Sequence, residues 1–275
     1  MKQRVITAIV LVLCAIPICI FSGTIVFPIA MAFIGLVGVY EMLGCMGTRK
    51  NLLISIPLYI LSLAAPFMVW REYKFFITSF KPDYSAILIP LVFALYLLAV
   101  WVFSYQKSQD VDMNKLITSA IVSLYIIGAT SSIVMIREAV GGEFYWYFIF
   151  IGAWVTDTFA YFSGMLFGKH KLIPAVSPKK TVEGAIGGTV FCIIFFVGYG
   201  ALINHLTNYN ISLVLLGFVG LFSAIVSMIG DLSMSVIKRT YGIKDYGKIF
   251  PGHGGVLDRF DSILAVAVVL ALFLA

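Results

Sequence analysis

The sequence predicts an all-α integral membrane protein with about nine transmembrane helices and a cytoplasmic amino terminus. Of its 275 residues, 61% are hydrophobic and only 12% are charged, whereas soluble chains are about 45 to 50% apolar. The apolar residues form long continuous stretches and do not alternate with polar ones as in a half-buried strand. Because a helix satisfies its own backbone hydrogen bonds in lipid, these stretches favour transmembrane helices.

Nine stretches approach the length of about 20 residues that a helix needs to cross a bilayer core of about 30 Å. The first follows Met1, Lys2 and Arg4 and resembles a signal peptide, but the eight later stretches favour a retained helix. The stretches lie near 5–22, 24–43, 53–70, 85–104, 116–136, 145–167, 185–203, 211–230 and 256–275.

The positions of Lys and Arg predict the orientation of these helices. With nine spans, fifteen of the 19 Lys and Arg residues fall on the side of the amino terminus, and the other four are Arg71, Lys74, Lys81 and Arg137. Positively charged loops stay on the cytoplasmic side of a membrane, so the amino terminus is expected in the cytoplasm. The net charge of +6 would attract anionic lipid headgroups or nucleotides to that face. No nucleic-acid partner is expected.

The distribution of ionisable residues divides the chain into two parts. Residues 1–137 hold five predicted spans with almost no ionisable side chain except Glu41, and are interpreted as a transmembrane scaffold. Residues 138–275 hold four spans with polar, charged and glycine residues in and between them, and are expected to carry the chemistry. The four cysteines lack metal-ligand spacing and are interpreted as packing residues.

The stretch GDLSMSVIKRTYGIKD, residues 230–245, continues a predicted helix beyond its apolar span. Asp231, Ser235 and Lys238 are spaced at i, i+4 and i+7 and therefore share one helical face. A carboxylate at the membrane boundary is costly unless it is paired, hydrated or bound to a metal. This face is expected to line a polar cavity; the alternative is a snorkelling Lys238 at a helix end capped by charge.

The stretch FPGHGGVLDRFDS, residues 250–262, places a glycine-rich turn before the last span. Asp258 and Asp261, at i and i+3, are expected to face the same way, either as caps and dipole partners or as ligands of a cation. Together with Asp231 they would form an oxygen-only ligand set, which favours Mg²⁺ beside phosphate groups. His253 has no second histidine at metal spacing, so a phosphate contact, a proton donor and a structural role all stay open.

The stretch SPKKTVEG, residues 177–184, indicates an anion site. Ser177 followed by Pro178 is predicted to be a helix N-cap and first helical residue, which would bring Lys179 and Lys180 to the amino end of a helix. Backbone amides and ammonium groups would hold an anion there together. Ordinary positive charge at the cytoplasmic surface is the alternative.

The stretch DTFAYFSG, residues 157–164, places Asp157 and Tyr161 one turn apart well inside the sixth span. An ionisable residue at that depth is a functional candidate. A structural hydrogen bond from Asp157 to a neighbouring helix is the alternative.

The segment SVIKRTYGIKDYGKIFPGHGGVLDRFDS, residues 235–262, closely resembles the signature of the phosphatidate cytidylyltransferase family, also called CDP-diacylglycerol synthases. The upstream segments SPKKTVEG and GDL are similar to other blocks of that family. The matching residues are Ser235, Lys238, Arg239, Lys244, Asp245, Pro251, His253, Gly254, Gly255, Asp258, Arg259 and Asp261.

The resemblance implies that CTP and phosphatidate give CDP-diacylglycerol and pyrophosphate, with Mg²⁺ required, at the cytoplasmic face of a bacterial inner membrane. It implies that Asp231 and Asp258 bind the metal ion and that Asp261 lies nearby. It is compatible with a second cation, and it implies that the protein forms a homodimer. The other expected catalytic residues are Lys238, Arg259 and His253. The expected substrate-binding residues are Asp157, Ser177, Lys179, Lys180, Thr181, Glu183, Ser235, Arg239, Lys244, Asp245, Gly254 and Gly255.

Two other functions stay open at this point. A CTP-dependent polyprenol or phytol kinase shares the chemistry but transfers the γ-phosphate of CTP. A cation- or proton-coupled transporter also places carboxylates inside spans, although only Glu41 and Asp157 fit that description here.

Overall fold

The computed structural model describes residues 2–75 and 112–274, and most of both segments is helical. Six helical segments in this part of the chain are long and apolar enough to cross a membrane, as expected for an all-α integral membrane protein. The span predicted at 85–104 lies outside the described residues. The helices are α1 Lys2–Ile20, α2 Val26–Cys45, α3 Leu52–Phe75, α4 Met113–Glu138, α5 Gly142–Tyr145, α6 Tyr147–Phe150, α7 Thr156–Phe167, α8 Val182–Leu206, α9 Leu213–Thr240 and α10 Leu257–Leu274.

Polar side chains at the amino ends explain where two of these helices begin. Asp112 caps α4 by accepting hydrogen bonds from the backbone N–H groups of Asn114 and Lys115. Ser212 caps α9, where its hydroxyl accepts from the N–H of Leu215 at 3.3 Å. Each cap satisfies N–H groups that have no partner within the first turn of a helix.

The sixth predicted span, 145–167, is a series of shorter helices. Gly141 precedes α5 in the left-handed region with φ 78°, and a π-helical turn at Ile151–Val155 joins α6 to α7. A Cβ on Gly152 in that turn would lie 2.8 Å from Cγ1 of Val266 on α10. Glycine therefore lets the π turn approach α10 just before Asp157, and π turns are frequent at functional sites.

The segment between α7 and α8 contains a short antiparallel hairpin. Its strands are β1 at Lys171–Ile173 and β2 at Ser177–Thr181. The prediction that Ser177 caps a helix is wrong: Lys171 pairs with Thr181 across the hairpin, and this pairing keeps the backbone extended as far as Thr181. Thr181 is the N-cap of α8, and its hydroxyl accepts from the N–H of Gly184 at 3.1 Å. Lys179 and Lys180 therefore lie on the strand that leads into α8.

Two apolar clusters hold the helices together. The first contains Phe27 and Trp146, whose ring centroids lie 5.3 Å apart in an edge-to-face arrangement. The second contains Met42, Ile126 and Leu257, which come from α2, α4 and α10. This second cluster packs the start of α10 against the amino-terminal half of the protein.

The helices α9 and α10 pack closely at the level of the predicted site. A Cβ on Gly230 of α9 would lie 2.5 Å from the Cβ of Ala265 and 3.0 Å from the carbonyl oxygen of Asp261. Only glycine permits such a close approach of two backbones. The expected continuation of the helix past Asp231 is also confirmed, because α9 ends at Thr240.

Adding one methyl group at this contact is expected to destabilise the protein. Gly230→Ala forces α9 and α10 apart at a cost of about 1–3 kcal/mol, as for other overpacked sites. Gly217→Ala in the same helix is the control, since its Cβ would lie 3.8 Å from Val197 Cγ2, and it is expected to be neutral or slightly stabilising. Thermal unfolding in detergent measures both; equal melting temperatures for the two variants would contradict the close contact.

Candidate active site

A cavity of about 370 Å³ opens between α7, the hairpin, α8 and α9. One part of its wall is polar and includes Asp157, Ser177, Lys179, Lys180 and Asp231. The remaining wall is largely apolar, with Met165, Leu172 and Met228 among its residues. A cavity of this kind can hold a charged group against the polar wall and a hydrocarbon chain against the apolar one.

An ion pair joins two walls of the cavity. Lys180 on β2 pairs with Asp231 on α9, and the Ser235 hydroxyl donates to Oδ1 of Asp231 at 3.4 Å. Both charged side chains remain partly exposed, at 26% for Lys180 and 27% for Asp231. Asp231 therefore points into a polar cavity as predicted, whereas Ser235 and Lys238, the other two residues of that predicted face, are not among the lining residues. The cation beside Asp231 comes from the hairpin.

Two further carboxylates lie close to Asp231. Asp157 on α7 accepts a hydrogen bond at 3.2 Å from the hydroxyl of Ser262 on α10. Asp261 lies within electrostatic reach of both Asp231 and Asp157, and its Oδ1 accepts from the N–H of Ser262 at 2.8 Å. Three helices thus contribute one carboxylate each to this group.

Asp258 has a different set of neighbours. Its Oδ1 accepts from Lys238 Nζ at 2.8 Å, and its Oδ2 accepts from the backbone N–H groups of Tyr246 at 2.8 Å and Gly255 at 2.9 Å. Only 5% of the Asp258 side chain is exposed. Asp258 and Asp261, which were expected to face the same way, therefore have different partners, because Asp258 turns back towards the segment that precedes α10.

Tyr246 anchors that segment to α9. Its side chain is buried, and its hydroxyl donates to the carbonyl oxygen of Met234 at 2.8 Å. Burial raises the pKa of the Tyr246 hydroxyl above its ordinary value. The hydroxyl therefore stays protonated and remains a hydrogen-bond donor.

The glycine-rich turn has the backbone geometry that its sequence suggests. Gly254 has φ 85°, and its carbonyl accepts from the N–H of Phe250 at 2.9 Å. Arg259 Nε donates to the carbonyl oxygen of His253 at 2.8 Å and so ties the turn to α10. The ring nitrogen Nδ1 of His253 is buried without a hydrogen-bond partner among the described residues.

Four other predicted site residues lie away from the cavity. Arg239, Lys244 and Asp245 are exposed and are not among its lining residues. The Glu183 carboxylate lies 2.7 Å from Nδ1 of His170, at the start of α8. Their predicted roles with substrate stay predictions.

Sequence reasoning missed the role of Glu41. This α2 residue is 2% exposed, and its carboxylate accepts from the N–H groups of Val256 at 3.0 Å and Leu257 at 2.9 Å. The available signal was an ionisable residue in an otherwise apolar span, which requires a buried partner. The identity of that partner depends on contacts across more than two hundred positions of the chain.

The donor atoms near the cavity fit a hard cation. In residues 2–75 and 112–274, no three His, Cys, Asp or Glu side chains are arranged to hold a metal ion by themselves. The acidic groups of Asp157, Asp231 and Asp261 offer only oxygen atoms, and Lys180 presents a positive charge to one of them. Mg²⁺ takes one or two protein carboxylates and completes its shell with water and phosphate, so this donor set suits it.

The buried pair of Lys238 and Asp258 is expected to contribute strongly to stability. Lys238→Met leaves Asp258 buried with backbone donors alone and is expected to cost about 3–5 kcal/mol. The control is Lys115→Met, which removes the exposed pair with Asp112 at 3.6 Å and should cost at most about 1 kcal/mol. Unfolding in detergent compares the two, and similar losses would contradict a special role for the buried pair.

Comparison with known proteins identifies the family of this chain. A model of the Cytidylyltransferase family matches residues 2–275. The phosphatidate cytidylyltransferase of Bacillus subtilis (strain 168) is 34% identical over 277 residues, which cover 100% of this chain and 98% of that protein. That of Staphylococcus haemolyticus (strain JCSC1435) is 33% identical over 280 residues, covering 100% and 99%. That of Staphylococcus saprophyticus subsp. saprophyticus is 44% identical over 133 residues, covering 48% and 50%.

Two of these relatives match along almost their entire length, as does the family model. The protein is therefore a membrane-embedded nucleotidyltransferase, and the chain belongs to the cytidylyltransferase family.

Proposed function

We propose that the protein transfers a cytidylyl group from CTP to phosphatidate, forming CDP-diacylglycerol and pyrophosphate. The observation that carries the proposal is the cavity in which Lys179 and Lys180 face Asp231 and Asp157 beside an apolar wall. Cations suit the phosphates of both substrates, and the apolar wall suits hydrocarbon at the membrane boundary. The full-length relatives named phosphatidate cytidylyltransferase support the same substrates.

The reaction needs positioning and charge neutralisation more than covalent help from the protein. A phosphate oxygen of phosphatidate attacks the α-phosphorus of CTP, the bond from that phosphorus to the oxygen that bridges to the β-phosphate breaks, and pyrophosphate leaves with the bond's electron pair. Lys179 and Lys180 on β2 hold CTP phosphates, and the amino end of α8 adds its backbone N–H groups. The lipid tails stay on the apolar side.

We propose Mg²⁺ as the required cofactor, held by Asp231 with Asp261 close by. The ion supplies charge neutralisation at the nucleotide phosphates. When CTP phosphates reach Lys180, this lysine can exchange Asp231 for phosphate and so free the carboxylate. Asp258 as a second metal ligand stays a prediction, and it would require Lys238 to leave its present position 2.8 Å from the carboxylate. A second cation is also a prediction.

We propose further that the site faces the cytoplasm of a bacterial inner membrane and that the amino terminus lies on the same side. Two contacts support placing the amino terminus and the site on the same side of the membrane. Thr7 donates to the carbonyl of Pro251 at 2.9 Å, and Glu41 contacts the start of α10. The beginning of α1 and the end of α2 therefore lie at the end of the bundle that carries most Lys and Arg residues. Nine spans and a homodimer remain predictions.

The coupled-transporter alternative loses much of its support. Of the two carboxylates that it could use, Glu41 is engaged with the backbone N–H groups of Val256 and Leu257, where α10 begins. Asp157 accepts a hydrogen bond from the Ser262 hydroxyl, and it lines the same cavity as Lys179 and Lys180 of β2.

Labelled CTP separates the remaining possibilities. Membranes containing the protein, supplied with phosphatidate, Mg²⁺ and CTP labelled in the cytosine ring, are expected to form a labelled lipid and release pyrophosphate. CTP labelled only in the γ-phosphate is expected to leave the lipid unlabelled. Label from the γ-phosphate in lipid would indicate a kinase, and no labelled lipid in either experiment would overturn the proposal.

Asparagine substitutions test the carboxylates individually. Asp231→Asn and Asp261→Asn are expected to lower turnover by about 100-fold or more, because each removes a negative charge that would help to hold the cation at the nucleotide phosphates in the transition state. Both proteins should still insert in the membrane. Glu143→Gln, in the first turn of α5, is the control and should keep normal turnover. Near-normal activity of Asp231→Asn would contradict the assignment.

A further inference from the structure

Glu41 joins the amino-terminal half of the protein to the turn that precedes α10. Its Oε1 accepts from the N–H of Val256 and its Oε2 from the N–H of Leu257, so both carboxylate oxygens are engaged with adjacent peptide groups. These N–H groups belong to the start of a helix and lack intrahelical partners. Because Glu41 comes from α2, 215 and 216 positions away, it is a cap supplied by another part of the fold.

The surrounding backbone leaves room for this carboxylate. A Cβ on either Gly247 or Gly255 would collide with the oxygens of Glu41. The Cα of Gly255 would lie only 3.2 Å from a Cβ on Gly247, so the two glycines meet beside the carboxylate. The segment 247–255 therefore wraps around the Glu41 side chain.

The same turn carries His253, which is expected to be catalytic, and leads into the first turns of α10 with Arg259 and Asp261. Gly255 donates its N–H to Asp258 at 2.9 Å, directly before the two N–H groups that Glu41 accepts. Arg259 holds the carbonyl of His253 at the other end of the turn. A shift of Val256 and Leu257 would therefore move His253, Arg259 and the first turn of α10 together.

We infer that Glu41 is a positioning residue for the reaction: it fixes the glycine-rich turn and the start of α10, and through them Asp261, Arg259 and His253. The inference rests on the proposed function. Glu41 itself does not line the cavity and acts through the backbone that it holds. A misplacement of about 1 Å at reacting groups can cost about 100-fold in rate, so a modest shift of this turn is sufficient.

Glu41→Gln tests this role with almost no change in side-chain size. The amide oxygen can accept from one of the two N–H groups, but the NH₂ group faces the other N–H and repels it. The turnover number per folded molecule is expected to fall by about 10-fold or more. The KM for CTP should stay within about threefold of normal, because Lys179 and Lys180 bind phosphates from β2, on the opposite wall.

A core residue at the other end of α2 supplies the matched control. Phe27 is fully buried on the same helix but belongs to the first cluster, where its ring packs against Trp146. Phe27→Leu is expected to lower the melting temperature while the folded fraction keeps normal turnover. If Glu41→Gln behaves like Phe27→Leu, with lower stability and unchanged turnover per folded molecule, Glu41 is only structural and the inference is wrong.

Hydrogen exchange provides a readout that does not depend on activity. In Glu41→Gln, the amides of Val256 and Leu257 should exchange at least about 10-fold faster than in the unaltered protein, while those in the middle of α9 should not change. Unchanged exchange at 255–257 would overturn the inference. If the unaltered protein failed to transfer cytidylyl groups, the proposed function would fail, and the exchange experiment would still test whether Glu41 holds the turn.

A second variant covers the case in which Glu41→Gln does not fold. Gly247→Ala leaves the carboxylate in place and pushes the turn away from it with a Cβ. It is expected to lower turnover and speed exchange at Val256 and Leu257 in the same way. Normal turnover and normal exchange in Gly247→Ala would also overturn the inference.

Discussion

The start of α10 is held by two buried carboxylates that come from different directions. Glu41 accepts from the N–H groups of Val256 and Leu257, and Asp258 accepts from those of Gly255 and Tyr246. An unpaired N–H in such a place costs about 1–3 kcal/mol. The positions of the glycine-rich turn and of the acidic residues that follow it depend on these bonds.

Two lysine–aspartate pairs in the same region differ in a way that matters for function. The pair of Lys238 and Asp258 is nearly inaccessible, with exposures of 12% and 5%, whereas Lys180 and Asp231 are exposed by 26% and 27%. A buried pair is costly to separate. Lys180 and Asp231 keep part of their side-chain surface exposed and both line the cavity, although Nζ of Lys180 is itself covered. The first pair therefore suits a fixed structural contact, and the second lies beside the cavity that a phosphate or a cation would enter.

The spans with long apolar stretches were predictable because hydropathy acts residue by residue, and α2, α3, α4, α8 and α9 lie close to their predicted positions. The interruption of the sixth span was not predictable from hydropathy, because the π turn at Ile151–Val155 depends on the contact of Gly152 with α10. The hairpin was also missed. Its strands are short, and their extended form depends on pairing between Lys171 and Thr181 and not on an alternating pattern.

The candidate site was predictable in its residue types and only partly in its arrangement. Spacing along α9 correctly placed Asp231 and Ser235 on one face, since helical periodicity decides that locally. The same reasoning failed for Asp258 and Asp261. Side-chain torsions and nearby N–H groups direct Asp258 towards Lys238 and Tyr246, while Asp261 lies near Asp231.

The sequence by itself determined that this is a helical membrane protein whose charged residues gather near the last two helices, because composition and helical spacing are local properties. Only the tertiary structure decided which charges meet. The hairpin brings Lys180 to Asp231, and Glu41 accepts a hydrogen bond from Val256, 215 positions further along the chain. A buried carboxylate needs hydrogen-bond donors or a cation beside it, and the packing of the helices decides which donors lie there.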